Sequence, residues 1–376
     1  MVLSVAAIIF LGLAMIGAGI NIAAAIIARP PGGVPALPGW PPITVLKPLH
    51  GGEPALAANL QSLFGQDYPG AVQIIFGTRN ADDCALGVVA AMRVAFPDAD
   101  IDIVVSDRRC GANNKLSNLA NMDAVGRHPI VIIADSDVAW APDTLRRLAI
   151  AVAEPGVGLA SCLHIGRGDA GFWSQLAAMD ISYRFMPSVL MGVALGMAKP
   201  ALGPTMAFRR DTLNRIGGFA AFADVLADDY QIGRAVRALG LRSVISTFYI
   251  THGCAESSLR GLIAHEMRWT VTIFRIDPLG FAGSVVVHTL PLALIGAALA
   301  GFSTAGLAVL AAALGSRIVV KLRMDAASGA VSGALILLPL RDLLSFALFC
   351  ATFFVHKVYW RGSQFRVTRD GRLQSR

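Results

Sequence analysis

The chain has 376 residues, of which 55% are hydrophobic and only 15% charged, with a formal net charge of +7. Soluble globular chains carry about 25% charged residues, so this composition excludes an ordinary soluble protein and requires apolar segments for a bilayer. The length admits one large domain or two. The basic residues sit at the edges of apolar segments rather than along one stripe, which argues against a nucleic-acid partner.

Residues Val2 to Ala28 form a 27-residue run without a charge, longer than the roughly 20 residues that span a bilayer as a helix. The run lacks a basic leader and is too long for a signal-peptide core, so residues 1–29 are expected to be an uncleaved anchor. Arg29 and a Pro/Gly-rich stretch, Pro30 to Pro42, follow. Residues 42–257 have ordinary polarity and alternate in period. Ile43–Lys47, Val72–Gly77, Ile101–Ser106 and Pro129–Asp135 read as strands. Pro54–Gln66, Cys84–Phe96 and Asn114–Val125 read as helices. Such alternation predicts a mainly parallel sheet covered on both faces.

The segment Phe185–Pro204 is apolar and rich in Met, Gly and Pro, and is expected to face the membrane, with Trp173 and Trp269 near it. Residues 258–280 read as an interfacial helix and 281–360 as C-terminal membrane helices. Phe281 to Ser316 holds no Asp, Glu, Lys or Arg, nearly enough for a tight two-helix hairpin. Two shorter apolar runs, Ala326–Leu340 and Leu343–His356, are separated by Arg341-Asp342. The tail 361–376 has five arginines against one aspartate. With Arg29 and the basic Arg317–Arg323 segment, this favours a cytoplasmic tail and catalytic domain. Five scattered cysteines without a CxxC pair fit a reducing compartment and oppose a disulfide framework or zinc site.

Chemistry concentrates at IIADSDVAW, Ile132 to Trp140. A strand-like run ends in two carboxylates, Asp135 and Asp137. Ligands in open α/β sheets bind beyond the carboxyl ends of the strands, and buried carboxylates need a partner. Hard oxygen donors suit Mg²⁺ or Mn²⁺. Capping of the following helix is the alternative role, but Asp143 is placed to cap it. No GxGxxG follows the first strand and no GxxxxGK[ST] occurs, so both common nucleotide loops are absent.

From Val45 to Trp269, ordered motifs resemble the GT-A-fold membrane glycosyltransferases, above all the ceramide glucosyltransferase family and its bacterial relatives in hopanoid biosynthesis. The motifs are VLKPLHGGEPALAANLQSLFGQDYP (Val45–Pro69), NADDCA (Asn80–Ala85), GANNKLSNL (Gly111–Leu119), ADSDV (Ala134–Val138), GGFAAFADVLADDYQIG (Gly217–Gly233) and HEMRW (His265–Trp269). The last departs from the family's QxxRW or RxxRW form at His265, so roles carry over only to Arg268 and Trp269.

The resemblance implies an inverting, metal-dependent transfer of N-acetylglucosamine or glucose from a UDP-sugar to a lipid hydroxyl. A hopanoid polyol such as bacteriohopanetetrol is the expected acceptor, with ceramide as the alternative. A polysaccharide synthase would need a longer chain with more spans. It further implies that Asp229 is the base, that Asp137 with Asp135 holds Mg²⁺ or Mn²⁺, and that Lys115 and Arg268 lend positive charge to the diphosphate. Asp82 or Asp83 would meet the nucleobase. The implied location is the bacterial inner membrane, with the catalytic domain in the cytoplasm.

Overall fold

The computed structural model describes residues 4–199, 201–225, 227–355, 358–360, 363–367 and 373–375. It divides into two compact units. An α/β unit comprises Gly32–His164 and Lys199–Ala255; a helical unit gathers Met1–Pro31, Ile165–Ala198 and Glu256–Arg376.

The chain opens with α1 (Val5–Ile27). Then come β1 (Ile43–Pro48), α2 (Leu56–Phe64), β2 (Val72–Thr78), α3 (Ala85–Ala95), β3 (Asp100–Val105), α4 (Asn114–Asp123), β4 (Ile130–Ala134) and β5 (Val138–Ala139). Next are α5 (Thr144–Ala153), β6 (Val157–Gly168), α6 (Phe172–Asp180), α7 (Met186–Ala194), β7 (Thr205–Arg209), α8 (Arg210–Arg215), α9 (Asp228–Ala238) and β8 (Arg242–Cys254). The remainder holds α10 (Leu259–Ile276), α11 (Pro278–Gly283), α12 (Thr289–Leu299), α13 (Thr304–Ser328) and α14 (Leu338–Thr352), with short strands β9 (Val358–Trp360), β10 (Ser363–Val367) and β11 (Leu373–Ser375).

The α/β unit is built on an eight-stranded sheet ordered β3-β2-β1-β4-β7-β6-β8-β5. Strands β3, β2, β1 and β4 run parallel, with Ile43 opposite both Val72 and Ile130. β7 is antiparallel to β4, β6 to β7 and β5 to β8, so the sheet is mixed beyond its parallel half. β1 and β4 are buried along their whole length, as apolar runs covered on both faces should be. β3 alternates and is partly exposed, the pattern of an edge strand. The expected strands and helices of residues 43–134 all form, within a residue or two at most ends.

Three expectations are corrected. First, residues 42–257 do not form one unit, because Ile165–Ala198 groups with the membrane helices. That stretch holds α6, a π-helical turn at Ile181–Phe185 and α7, and it includes most of the Phe185–Pro204 segment.

Second, the basic Arg317–Arg323 segment is no break between apolar runs, because α13 runs straight through it. Arg317 Nε and Nη2 each donate to an Asp342 oxygen at 2.8 Å, and Lys321 pairs with Asp325. Third, Arg341-Asp342 does not break the chain into two short spans: Leu335–Thr352 is one apolar helical stretch. Neutralising each buried charge within the helical unit is what lets the helices continue. The tail was expected to be basic and cytoplasmic; residues 361, 362, 368–372 and 376 lie outside the described residues.

Among the described residues, three helices are long and apolar enough to cross a membrane: Val5–Ile27, Thr304–Ser328 and Leu335–Thr352. The pair Leu259–Ile276 and Pro278–Val287 qualifies as a fourth only if its 119° bend lies within one span. α1 packs closely because Gly17 has no side chain; a Cβ there would fall 2.1 Å from the Val286 carbonyl oxygen. Asn21 Nδ2 donates to Thr289 and Ser316 hydroxyls at 3.2 and 3.1 Å, the polar tie that apolar helices use in lipid.

Candidate active site

Strand β4 delivers Asp135 to the carboxyl end of the sheet, and there the chain turns. Val138 N donates to Asp135 O at 3.2 Å, closing a tight loop over Ser136 and Asp137. The two carboxylates are therefore presented by a turn. The loop is pinned from several sides. Lys47 on β1 is fully buried and donates through Nζ to the carbonyls of Asp135 and Val138, the latter at 2.9 Å. Asn59 Nδ2 donates to Ser136 O at 3.2 Å, and Ser136 Oγ donates to Glu53. Gly253 N on β8 donates to Asp137 O at 2.8 Å.

Lys115 stands in the first turn of α4, capped by Asn113, whose Oδ1 accepts from Lys115 N and Leu116 N. Its ammonium lies 2.6 Å from Asp135 Oδ1 and donates to Oδ2 at 2.9 Å, with Asp228 Oδ2 4.0 Å away. Asp228 and Asp229 open α9. Asp229 accepts from Gly203 N at 3.1 Å and from Tyr230 N at 2.7 Å. The Gly111–Asn113 loop is tied to the Phe219–Val225 loop by Asn113 N to Ala223 O at 2.6 Å and Asn113 Nδ2 to Val225 O at 2.9 Å. A Cβ on Gly111 would fall 2.6 Å from Asp224 Oδ1, so the close approach requires glycine.

Electrostatics follow from this crowding. Burial raises Asp229 to about 7, with Asp228 adding to the rise. Burial likewise raises Glu53 to about 7, reinforced by Asp137. Burial pushes Asp135 upward; Lys115 opposes the rise and Asp137 adds to it. Burial would raise Asp137 too, but His252, with Nε2 3.3 Å from its Oδ2, holds it at about 2. Burial brings Lys47 down to about 8 against the pull of Asp137, Asp135 and Glu53. Carboxylates thus outnumber cations at the strand ends. Asp137 Oδ1 and Asp228 Oδ2 are buried without a hydrogen-bond partner among the described residues. The chemistry of these two oxygens suits a hard divalent cation, although among the described residues no three His, Cys, Asp or Glu side chains are grouped to hold one.

The other expected residues have local surroundings of their own. Asp83 is occupied: its oxygens accept from Gly51 N, and Oδ1 also accepts from Ala85 N at 3.0 Å, the local capping contact. Asp82 beside it is exposed. Asp143 stands at the N-cap of α5 but makes no side-chain cap bond. It pairs with Arg147 at 2.7 Å instead, because its backbone has not taken the extended conformation of a capping residue. Arg268 and Trp269 lie on α10, in the helical unit. The Arg268 guanidinium sits 6.0 Å from the Trp269 ring centre, and the His265 ring lies 4.6 Å from Trp269. His265 is held by Glu256. All five cysteines are free.

Sequence reasoning missed Lys47, Glu53 and His252. A lysine inside an apolar strand was the available signal for Lys47; nothing local marks His252.

A half-parallel sheet with an acidic turn at the end of β4 defines the GT-A class of fold. The chain shares that fold with a mannosyltransferase from Pyrobaculum calidifontis, solved with GDP-Man and Mn²⁺: TM-score 0.51, 22% identity, covering 92% of this chain and 98% of that one. The chain belongs to glycosyl transferase family 21, whose model matches residues 5–373. It is similar to ceramide glucosyltransferase 1 of Caenorhabditis elegans, 24% identical over 62% of this chain and 50% of that protein. It is also similar to an N-acetylglucosaminyltransferase of Bradyrhizobium diazoefficiens, 25% identical over 62% of this chain and 49% of that protein. A shorter match, 35% identical over 26% of the chain, is to the ceramide glucosyltransferase of Komagataella phaffii and spans 19% of it. The chain thus spans about half the length of the first two.

Proposed function

We propose that this protein transfers a sugar from a UDP-sugar to the hydroxyl of a membrane lipid, with inversion at the anomeric carbon. The observation that carries the reading is the convergence of Asp135, Asp137, Lys115, Asp228 and Asp229 at the carboxyl end of the sheet in a family 21 chain. Asp137, with Asp135, would hold Mg²⁺ or Mn²⁺. Such an ion supplies Lewis-acid neutralisation of a departing diphosphate.

The chain's own residues do the rest. Lys47, Asn59 and Gly253 hold the acidic turn in shape before substrate arrives, the preorganisation on which electrostatic catalysis depends. Lys115 opposes the burial-driven rise of Asp135 and adds fixed positive charge. Asp229, raised to about 7, is poised to accept the acceptor proton near neutral pH, as a general base should be. Asp82 is free to meet the nucleobase, while Asp83 shapes its loop. Arg268 and Trp269 keep the role in diphosphate neutralisation and acceptor placement that their motif implies.

The N-acetylglucosaminyltransferase relative favours N-acetylglucosamine as the sugar; bacteriohopanetetrol is the acceptor that the motif resemblance implies. The ceramide glucosyltransferase relatives favour a second reading, glucose to ceramide. The three long apolar helices support a membrane enzyme, which we take to lie in the bacterial inner membrane with the α/β unit on the cytoplasmic, nucleotide-sugar side. One experiment tests the reading. Purified protein is incubated with UDP-glucose or UDP-N-acetylglucosamine and with ceramide or bacteriohopanetetrol, and lipid products are read by mass spectrometry. A glycolipid of inverted configuration is expected; no product from any pair refutes the reading.

A further inference from the structure

A buried ionic cluster in the helical unit fixes one face of α10. Glu266, the second residue of HEMRW, meets Arg341 of α14: Nη1 and Nη2 donate to Oε1 and Oε2 at 2.9 and 2.6 Å. The same guanidinium reaches α6, with Nη2 2.9 Å from Asp180 Oδ1. Its Nε donates to Ser345 Oγ at 3.1 Å, and Ser345 Oγ donates to Asp180 Oδ1 at 2.7 Å. Arg184 of the π-helical turn grips Asp180 from the other side, Nε to Oδ1 at 2.7 Å. Arg341 is 2% exposed, Asp180 6% and Glu266 7%. Two guanidinium groups face two carboxylates, so the cluster is neutral.

A second fixed point lies one turn further along α10, where Thr352 Oγ1 of α14 donates to Thr270 Oγ1 at 2.8 Å. Leu262, Glu266 and Thr270 stand at i, i+4 and i+8, so they share one stripe of the helix. At 3.6 residues per turn, Arg268 lies about 200° around from Glu266, on the opposite side. The motif is thus divided: Glu266 anchors the helix and Arg268 points away from the anchor, while Trp269, three residues on, lies about 60° from it.

A buried ion pair is a poor source of stability, since well-packed apolar residues often serve as well or better. What a bidentate pair supplies is fixed geometry. We propose that Arg341 is a positioning residue for sugar transfer: by clamping Glu266 to Asp180 it sets the rotation and register of α10, and through them the aim of Arg268 and Trp269. This rests on the proposed role of Arg268 in the reaction.

The test is a double-mutant cycle on the full-length enzyme in nanodiscs, using the donor and acceptor pair found active among those above. The variants are Arg268→Ala, Arg341→Met, Arg341→Lys and Arg268→Ala/Arg341→Met, with kcat and donor KM scaled to folded fraction. A misplacement of about 1 Å can cost about 10²-fold, so Arg341→Met is expected to lower kcat about 10- to 100-fold. Arg341→Lys, which keeps charge but not the fork, should recover part of it. The double variant should be little slower than Arg268→Ala alone, because a residue acting through Arg268 has nothing left to act on. Folded Arg341→Met with wild-type kcat, or losses that multiply in full, overturns the proposal. Normal kcat in Arg268→Ala removes the role of Arg268 itself and the proposal with it. If Arg341→Met does not fold, Glu266→Gln, nearly isosteric but uncharged, takes its place in the same cycle: a loss of kcat that vanishes in the Arg268→Ala background supports the proposal, and wild-type kcat or fully multiplying losses overturn it.

Discussion

Replacing Asp229 by Asn separates a catalytic base from a helix cap. Both carboxylate oxygens of Asp229 accept backbone N–H groups, from Gly203 at 3.1 Å and Tyr230 at 2.7 Å. The Asn amide keeps one acceptor and sets an NH₂ against the other donor, a loss of about 1 kcal/mol. A compensating gain depends on pH. Burial and Asp228 raise the Asp229 carboxyl from 3.8 to about 7, so the fold favours its protonated form. Ionising it costs stability progressively between about pH 4 and 7, and the cost is constant above. The Asn variant, neutral throughout, should therefore gain thermal stability relative to wild type across that window.

Turnover should respond differently. A general base contributes about 10² to 10⁴ in rate, equivalent to about 2.7 to 5.4 kcal/mol of barrier. The wild-type kcat should climb with pH to about 7 and level off, and the Asn variant should lose that limb. Donor affinity should hold, since the substitution leaves untouched Asp135 and Asp137, the residues proposed to serve the donor's diphosphate. The assay combines kcat–pH profiles, donor titration by calorimetry and melting curves for folded fraction. A kcat per folded molecule within about threefold of wild type, against the expected loss of at least about 10², would remove Asp229 from the mechanism.

Chelation by EDTA should abolish turnover, with Mg²⁺ or Mn²⁺ restoring it, and Asp137→Asn should weaken metal-dependent donor binding as well as kcat; full activity in EDTA would end the metal assignment. Lys47→Met strands the carbonyls of Asp135 and Val138, so stability should fall by about 1–3 kcal/mol together with metal-dependent donor affinity, and unchanged melting and calorimetry would show that the turn needs no brace. Arg317→Met or Asp342→Leu alone should destabilise the helical unit by about 3–5 kcal/mol, whereas the double variant should recover most of the loss. Denaturant titration in detergent checks this, and neutral single variants would mean that the pair holds nothing.

The sequence alone determined the elements whose cause is local. β1, β2 and β4 were legible because mostly apolar, β-branched runs are buried on both faces. The acidic pair was legible because two carboxylates follow such a run without a local reason; the turn that presents it was not. The first apolar helix was legible because its length matches a bilayer. What depends on distant partners was not. Lys47 accounts for the shape of the turn, but the carbonyls that it holds lie 88 and 91 residues away. Arg317 and Asp342 read as span ends because hydropathy counts a charge as unpaired. Only tertiary structure brings them within 2.8 Å of one another, where pairing removes the cost of burial. The same holds for Glu266 and Arg341, 75 residues apart. Periodicity reports which face of an element is buried; what a buried charge meets there is decided by packing, because an ion pair is a property of two segments and is encoded in neither alone.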